Sequence, residues 1–399
     1  MKIGILREEK SPPDKRVLLT PDQCKWIIDN SNFDIYVQSS NIRCFSNKLY
    51  SQSGIKVVED LSNCDILLGI KEVPKELLLP SKIYFYFSHT IKKQSYNRLL
   101  LSKMLDLNIQ MVDYEVLKDS KNKRLLGFGR YAGIVGAYNG LLAYGLKSQK
   151  FNLKPAYLCE NRREVEAELM KIKLHKEKIL LTGNGRVANG ALEILNFANI
   201  KEVTINDYLN KDFNETVFCK LDTLDYNQRI DGKKSNKNDF YTNPKNYKST
   251  FMKYAKHTDI FIAGHFHDSD APYLFTREDI RSNDFNITVV ADISCDIDGP
   301  VACTIRSSTI EKPIYGYNPI TESEDNFCND DVIAVMAVDN LPCELPKDSS
   351  EDFGNEFIEN ILPHLLNNDE NDVIKNATIC LGGDLTPKFE YLRDYVNGN

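Results

Sequence analysis

A chain of 399 residues, 42% hydrophobic and 27% charged, has the composition of a soluble globular protein and the length for two or three domains. Its formal net charge of −7, with no basic cluster interleaved with aromatic residues, argues against a nucleic-acid surface and favours small-molecule partners. Ten singly scattered cysteines without C-x-x-C or zinc-like Cys/His spacing, an N-terminus running straight into a strand and no apolar run of roughly 18 residues imply reduced thiols, no metal, no membrane span and a cytoplasmic location.

In chain order, residues 1 to about 130 alternate short apolar runs with helical spacing. Strands are predicted at 2–6, 34–38, 66–70, 83–87 and 109–112, and helices at 21–29 and 95–105, which is α/β patterning. Residues 128–145 repeat small side chains three and four apart, suiting a closely packed helix between domains. Beyond it come a predicted strand at 178–181, a helix after Gly185, a second strand at 201–207 and later strands at 259–264 and 287–294. Residues 212–248 are rich in Asn, Asp and Lys and too long for an ordinary loop; they read as a mobile surface excursion or a substrate-side insertion. From 331 an apolar run leads into Asn340-Leu341-Pro342-Cys343-Glu344-Leu345-Pro346, followed by helical segments at 349–366 and 388–396.

The segment after 178–181 carries the strongest motif. Gly183-x-Gly185-x-x-Ala188 fits the G-x-G-x-x-G/A turn, in which glycines let the backbone approach a pyrophosphate and the following helix presents its N–H groups to the phosphates. Asp207 lies 24 positions after Gly183, close to the spacing of a ribose-binding carboxylate, unless Asn206 and Asp207 begin a turn instead. A carboxylate there would repel the extra phosphate of NADP by about 4 kcal/mol at about 4 Å and an effective dielectric near 20, so NAD is expected over NADP. Arg186, Lys201 and Lys211 are cations nearby in sequence that act in the opposite direction.

In the first domain three titratable residues stand at strand ends or helix starts: Lys71, His89 and Arg16. Strand C-terminal ends face the ligand crevice of open α/β sheets. Each also has a plainer reading, as a solvated lysine, a structural histidine and a surface ion pair.

Longer motifs narrow these readings. Leu68-Gly69-Ile70-Lys71, Phe87-Ser88-His89-Thr90-Ile91-Lys92-x-Gln94, Asp113-Tyr114-Glu115 and Phe128-Gly129-x-x-Ala132-Gly133-x-x-Gly136 resemble the lysine-ketoglutarate reductase domain of saccharopine-forming enzymes. Asp292-Ile293-Ser294-x-Asp296, Thr309-Ile310-Glu311-x-Pro313 and Val338-Asp339-Asn340-Leu341-Pro342-x-x-Leu345-Pro346 extend that resemblance over nearly the whole chain. More distantly, the first half is similar to lysine-forming saccharopine dehydrogenase and to alanine dehydrogenase. The resemblance implies reversible hydride transfer at a carbon–nitrogen bond: saccharopine, NAD(P)⁺ and water giving lysine, 2-oxoglutarate and NAD(P)H.

By that resemblance Lys71 takes the amine proton and His89 activates water, with Glu72 and Glu115 as acidic neighbours. Arg16 holds a substrate carboxylate, Lys10 and Gln94 belong to the same polar pocket, and Asp296 lies beside the nicotinamide and substrate. Gly183, Gly185, Ala188 and Asp207 hold the cofactor. The fold implied is α/β, with two Rossmann-like domains built on parallel sheets and a cleft between them: residues 1–133 plus 325–399 for substrate and catalysis, 134–324 for the dinucleotide. A departure is Gly264-His265-Phe266-His267, where the reductases tend to carry Ile-Tyr-Trp; two histidines on one strand face without a matching carboxylate do not make a zinc site. Alternative readings are an alanine dehydrogenase-like enzyme and a non-catalytic, transhydrogenase-like nucleotide-binding module. The resemblance leaves room for a homo-oligomer.

Overall fold

The apolar runs become strands because each is short, rich in β-branched or aromatic residues and bounded by turn formers. The computed structural model describes residues 1–398. Its strands are β1 (Lys2–Ile5), β2 (Asp34–Gln38), β3 (Lys56–Val58), β4 (Ile66–Lys71), β5 (Ile83–Phe87), β6 (Gln110–Asp113), β7 (Lys178–Thr182), β8 (Lys201–Glu202) and β9 (Val217–Leu221). They continue with β10 (Asn227–Arg229), β11 (Tyr247–Ser249), β12 (Ile260–Ala263), β13 (Val289–Asp292), β14 (Ile314–Asn318), β15 (Ser323–Asp325), β16 (Ile333–Met336), β17 (Thr378–Leu381) and β18 (Asp384–Leu385). Among the described residues no helix is long and apolar enough to cross a membrane.

The chain divides into two units, residues 1–128 with 346 onward, and residues 129–345. In the first, an eight-stranded sheet has the order β18-β17-β6-β5-β4-β1-β2-β3. Strands β1 to β6 pair in parallel and the two C-terminal strands add antiparallel pairs at one edge. The direction of strand addition reverses between β1 and β4, the kind of switch point at which open sheets bind ligands. Helix Pro21–Asn30 begins at a capping box in which Gln23 N–H donates to Thr20 Oγ1 at 3.3 Å and Thr20 N–H donates to Gln23 Oε1 at 2.9 Å. Proline at the first turn adds to this start signal, so the loop between β1 and this helix has a fixed exit.

The second unit holds another eight-stranded sheet, β15-β14-β16-β13-β12-β7-β9-β8. Ile179 and Leu181 enter one apolar cluster and Leu180 another, so β7 is covered on both faces, as parallel sheets require. Strand β16 pairs in parallel with β13, which places residues 325–345 with this unit and not with the first, as the sequence reading had them. The small-residue helix, Gly129–Ser148, also belongs inside the unit instead of between domains. A Cβ at Gly133 would lie 1.9 Å from Val187 O and one at Gly190 would lie 1.9 Å from Arg130 O, so this helix and Arg186–Phe197 pack backbone against backbone.

Two expectations are corrected here. Residues 201–207 do not form one strand: β8 covers only Lys201 and Glu202 at the sheet edge, and Thr204 caps the helix Ile205–Asn210 by accepting from Asp207 N–H at 3.1 Å. The polar segment 212–248, read as an excursion, contains β9, which lies directly beside β7. Val217, Phe218, Cys219 and Leu221 are buried. At about 1.5–3 kcal/mol for each large apolar side chain, their burial outweighs the polar flanks. The remainder of the segment forms the β10–β11 hairpin around the helix Lys237–Thr242.

Candidate active site and glycine-turn cradle

In the first unit, four neighbouring parallel strands, β1, β4, β5 and β6, deliver their C-terminal ends to one rim of the sheet. The loop after β1 carries Glu8, Lys10, Asp14 and Arg16; β4 ends at Lys71 and Glu72 follows it; His89 follows β5; Glu115 follows β6. Glu8 accepts the backbone N–H groups of Ile70 at 2.7 Å and Lys71 at 2.9 Å, bridging the β1–β4 switch point at the end of β4, the same end at which the β4–β5 register shifts. Burial, then the nearby Asp14, push its carboxyl up to about 7.

Burial first, then the Arg16 guanidinium, hold the Lys71 ammonium below its ordinary range; Lys10 acts in the same direction, while Asp14 and Glu72 oppose it. Lys10 Nζ donates to Glu72 Oε1 at 2.5 Å, and His89 Nδ1 stands 3.4 Å from Glu72 Oε2. Burial would raise the Glu72 carboxyl, but His89 and Lys10 outweigh it and hold it at about 2. At 3.4 Å the His89 approach is within reach of a weak hydrogen bond, but its geometry is not that of a formed one, and Oε2 is left without a well-aligned donor. Glu115 Oε2 is likewise buried and unbonded, while its Oε1 meets Lys92 at 3.2 Å. Two buried carboxylate oxygens in need of donors suit a ligand that brings N–H groups.

Arg16 donates from Nε to Asp14 Oδ1 at 3.0 Å and from Nη2 to Asp14 Oδ2 at 2.6 Å, and its Cζ lies 4.1 Å from the Phe128 ring centroid. Burial would raise Asp14, but Arg16 outweighs it and holds the carboxyl well below the usual range. One edge of the fork expected to hold substrate therefore holds Asp14. Gln94 is exposed and its amide oxygen accepts from Tyr96 at 2.5 Å; among the described residues no hydrogen bond joins it to the Lys10–Glu72 group. Glu8 and Asp14 escaped the sequence reading, where the only cue to Glu8 is an acid just past the apolar run of β1.

In the second unit, Gly183 has φ +107°, and a Cβ there would meet Gly264 O at 2.4 Å. A Cβ at Gly185 would meet nothing within 4 Å, and Gly185 caps the helix Arg186–Phe197, so the open space lies over backbone N–H groups. Ala188 is buried, and a Cβ at Gly264 would come within 3.4 Å of its backbone. This arrangement fits a pyrophosphate cradle: a turn only glycine can make, space where a side chain would intrude, and close helix–strand packing.

Asp207 is not beside that cradle. It lies in the helix after the edge strand and pairs with Lys211 at 2.9 Å. The acid at the end of the strand next to β7 is Asp222: Gly183 N–H donates to Leu221 O at 2.9 Å, and the Asn184 side chain bonds Asp222. The available signal was the apolar run Val217-Phe218-Cys219-x-Leu221 followed by Asp, inside a stretch that polar composition disguised.

His265 bonds Thr182 Oγ1 through Nδ1 at 2.7 Å, and its Nε2 is buried without a partner; burial, then His267, push it down to about 3. His267 Nε2 is also buried and unbonded. Among the described residues no group of three or more His, Cys, Asp or Glu is arranged to hold a metal. Asp296 is exposed in the turn after β13 and its charge acts on His267, whereas Asp292 is buried and accepts from Thr304 and Ser294 at 2.7 and 2.8 Å.

Known proteins share this architecture. The family description "Alanine dehydrogenase/PNT, N-terminal domain" matches residues 4–135, and "Alanine dehydrogenase/PNT, C-terminal domain" matches residues 172–388. An alpha-aminoadipic semialdehyde synthase of Arabidopsis thaliana is 28% identical over 436 aligned positions, covering 98% of this chain but 41% of that protein. The chain thus spans less than half the length of that relative. A saccharopine dehydrogenase [NAD(+), L-lysine-forming] of Emericella nidulans is 25% identical, with 90% of each chain covered. Among solved structures, an L-alanine dehydrogenase superposes with a TM-score of 0.65 at 14% identity, covering 99% of this chain and 100% of that one, a likeness of fold.

Proposed function

The chain belongs to the alanine dehydrogenase/PNT family, and from that premise we propose that it is an NAD(P)-dependent oxidoreductase of the carbon–nitrogen bond in saccharopine, forming lysine and 2-oxoglutarate or running in reverse. The observation that carries the reading is the grouping of a lysine held below its ordinary range with a histidine around one half-buried carboxylate, at the C-terminal rim of a parallel sheet. The names of the relatives supply the substrate.

In the oxidative direction neutral Lys71 removes the proton from the secondary amine of the substrate. Its burial and cationic neighbours serve that role, because an ordinary lysine is almost fully protonated at neutral pH. A nicotinamide dinucleotide held through its pyrophosphate by Gly183, Gly185 and Ala188 would supply the hydride-accepting chemistry for the substrate carbon. His89 then deprotonates the water that adds to the imine, and returns a proton to the lysine nitrogen as the carbinolamine collapses to the 2-oxoacid. Glu72 orients His89 electrostatically, and Lys10 keeps Glu72 anionic. Arg16, fixed by Asp14 and Phe128, contributes positive charge toward a substrate carboxylate, while Lys10 belongs to the same pocket. Gly183, Gly185 and Ala188 hold the pyrophosphate, and Asp222 takes over the ribose role first expected of Asp207.

The carboxylate of Asp222 at the glycine turn and the NAD(+) in the saccharopine dehydrogenase name support NAD as the preferred nucleotide. Asp296 and the His265–His267 pair are proposed to border the substrate end of the cofactor. The test is oxidation of NADH or NADPH by the purified chain with lysine plus 2-oxoglutarate, against ammonia plus pyruvate. Turnover is expected only with the first pair. Turnover only with the second would replace the reading by alanine dehydrogenase chemistry, and dinucleotide binding with neither turnover would make the chain a nucleotide-binding module.

A further inference from the structure

The cradle carries a feature that neither the motif nor the relatives assign. Asp222 follows β9 beside the glycine turn, and Lys237, the first residue of the helix in the 222–249 excursion, pairs with its Oδ2. The other oxygen, Oδ1, accepts from Thr223 N–H at 2.7 Å. Lys220, the penultimate residue of that strand, donates to Asn184 Oδ1 at 3.3 Å, so a second ammonium stands at the glycine turn itself. Asp225 also faces the group, its Oδ2 accepting from Asp222 N–H at 2.7 Å and its charge acting on Lys237. Two ammonium groups therefore balance two carboxylates where an adenosine ribose would lie.

Two of the three cations expected to compensate such a carboxylate, Lys201 and Lys211, are paired with other acids. Lys211 pairs with Asp207 at 2.9 Å and Lys201 with Glu215 at 3.0 Å. Lys237 reaches the carboxylate only because the excursion folds back through the β10–β11 hairpin, in which Asn236 caps the helix by accepting from Asn238 N–H at 2.9 Å.

We propose that Lys237 is the residue that sets nucleotide choice: by neutralising Asp222 it lets the cradle accept a dinucleotide bearing an adenosine 2′-phosphate, which the uncovered carboxylate would exclude. With Lys237 in place, the ammonium transfers from Asp222 to the phosphate when NADP(H) binds and stays on Asp222 when NAD(H) binds, so NADP(H) is accepted as a second nucleotide beside the preferred NAD(H). Lys237 and Asp222 are 45% and 32% exposed, so solvent screens the pair and the effect is moderate. A change of about tenfold in discrimination is expected, which corresponds to about 1.4 kcal/mol.

This inference rests on the dinucleotide reading of the glycine turn, and the experiment separates the two. NADH and NADPH affinities are measured by nucleotide fluorescence on the full chain, together with kcat/KM for each nucleotide, in the wild type and in Lys237→Gln, Lys237→Arg, Asp222→Asn and Asp207→Ser. Lys237→Gln should lower the NADPH-to-NADH ratio about tenfold, Lys237→Arg should restore it, Asp222→Asn should raise it, and Asp207→Ser should leave it unchanged. A merely structural Lys237 would move both nucleotides together. Wild type that binds NADH but shows no change of ratio in Lys237→Gln overturns this inference alone; wild type that binds neither nucleotide overturns it together with the dinucleotide reading.

Discussion

Glu8 accepts the backbone N–H of Lys71 at 2.9 Å, so an acid on the loop after β1 fixes the end of β4 from which the candidate base projects. The same carboxylate takes the Ile70 N–H at 2.7 Å, and both bonds span the switch point of the sheet. Position and charge are thereby coupled: one group sets where the Lys71 backbone lies, and its neighbours Asp14 and Arg16 act on the Lys71 side chain.

Burial raises the Glu8 carboxyl from 4.5 to about 7, so its protonated form is the one the fold favours. The stability this gives is fully present below pH 4.5 and lost as pH rises through 7. The difference in protonation between the folded and unfolded chain is worth roughly 3 kcal/mol. Glu8→Gln, which cannot ionise, should therefore gain stability relative to wild type between pH 4.5 and 7.5. Denaturant unfolding of both proteins across that range measures the difference; a pH-independent gap would mean that Glu8 is ionised in both folded and unfolded chains.

For the catalytic pair, Lys71→Met and His89→Gln should each lower turnover at least about a hundredfold with dinucleotide affinity retained, the usual worth of an acid–base group. Near-normal turnover in either variant would remove that residue from the mechanism. The oxidative rate should rise with pH as Lys71 loses its proton. Glu72 raises the Lys71 pKa, so Glu72→Gln should move that rising limb to lower pH. A shift to higher pH would mean that the limb reports a different group.

How far the site was legible follows from where its residues lie. Lys71 and His89 follow uninterrupted apolar runs, and such runs become buried parallel strands whose ends are visible in the sequence. The glycine turn was readable because its residue types are sterically compelled, as the Gly183 environment illustrates. Asp207 misled because spacing along the chain assumes that the next strand in sequence is the next strand in the sheet. Here β8 contributes only two residues at the edge, and β9 takes the place beside β7. The Arg16–Asp14 fork is a pair two residues apart on a loop, and no periodicity marks which of several nearby acids an arginine will face.

The two turn glycines should separate folding from binding. Gly185→Ala adds a methyl group where no heavy atom lies within 4 Å, so thermal stability should change little, yet the methyl enters the space over the helix N-terminus and dinucleotide affinity should fall at least about tenfold. Gly183→Ala combines φ +107° with a Cβ 2.4 Å from Gly264 O, and should cost stability by roughly 1–3 kcal/mol or more. Thermal melts with NADH titrations check both. Undiminished NADH affinity in Gly185→Ala would count against the cradle.

The last prediction concerns Arg16, whose fork grips Asp14 while its face covers Phe128. Both members of the ion pair are buried, with side chains 2% and 3% exposed. Removing one partner of such a pair leaves an uncompensated charge, which costs about 3–5 kcal/mol, so Asp14→Ala should be poorly stable. Arg16→Lys is more informative because it keeps the charge but loses the planar two-point grip. If Arg16 serves only to hold Asp14, Arg16→Lys should lower stability and leave the KM for the oxoacid near its wild-type value. If it also attracts a substrate carboxylate, KM for 2-oxoglutarate should rise at least about tenfold while kcat falls less, since ground-state and transition-state binding are lost together. We expect the second outcome, read from steady-state kinetics in the reductive direction alongside a urea melt; an unchanged KM in a destabilised protein would return Arg16 to a purely structural role.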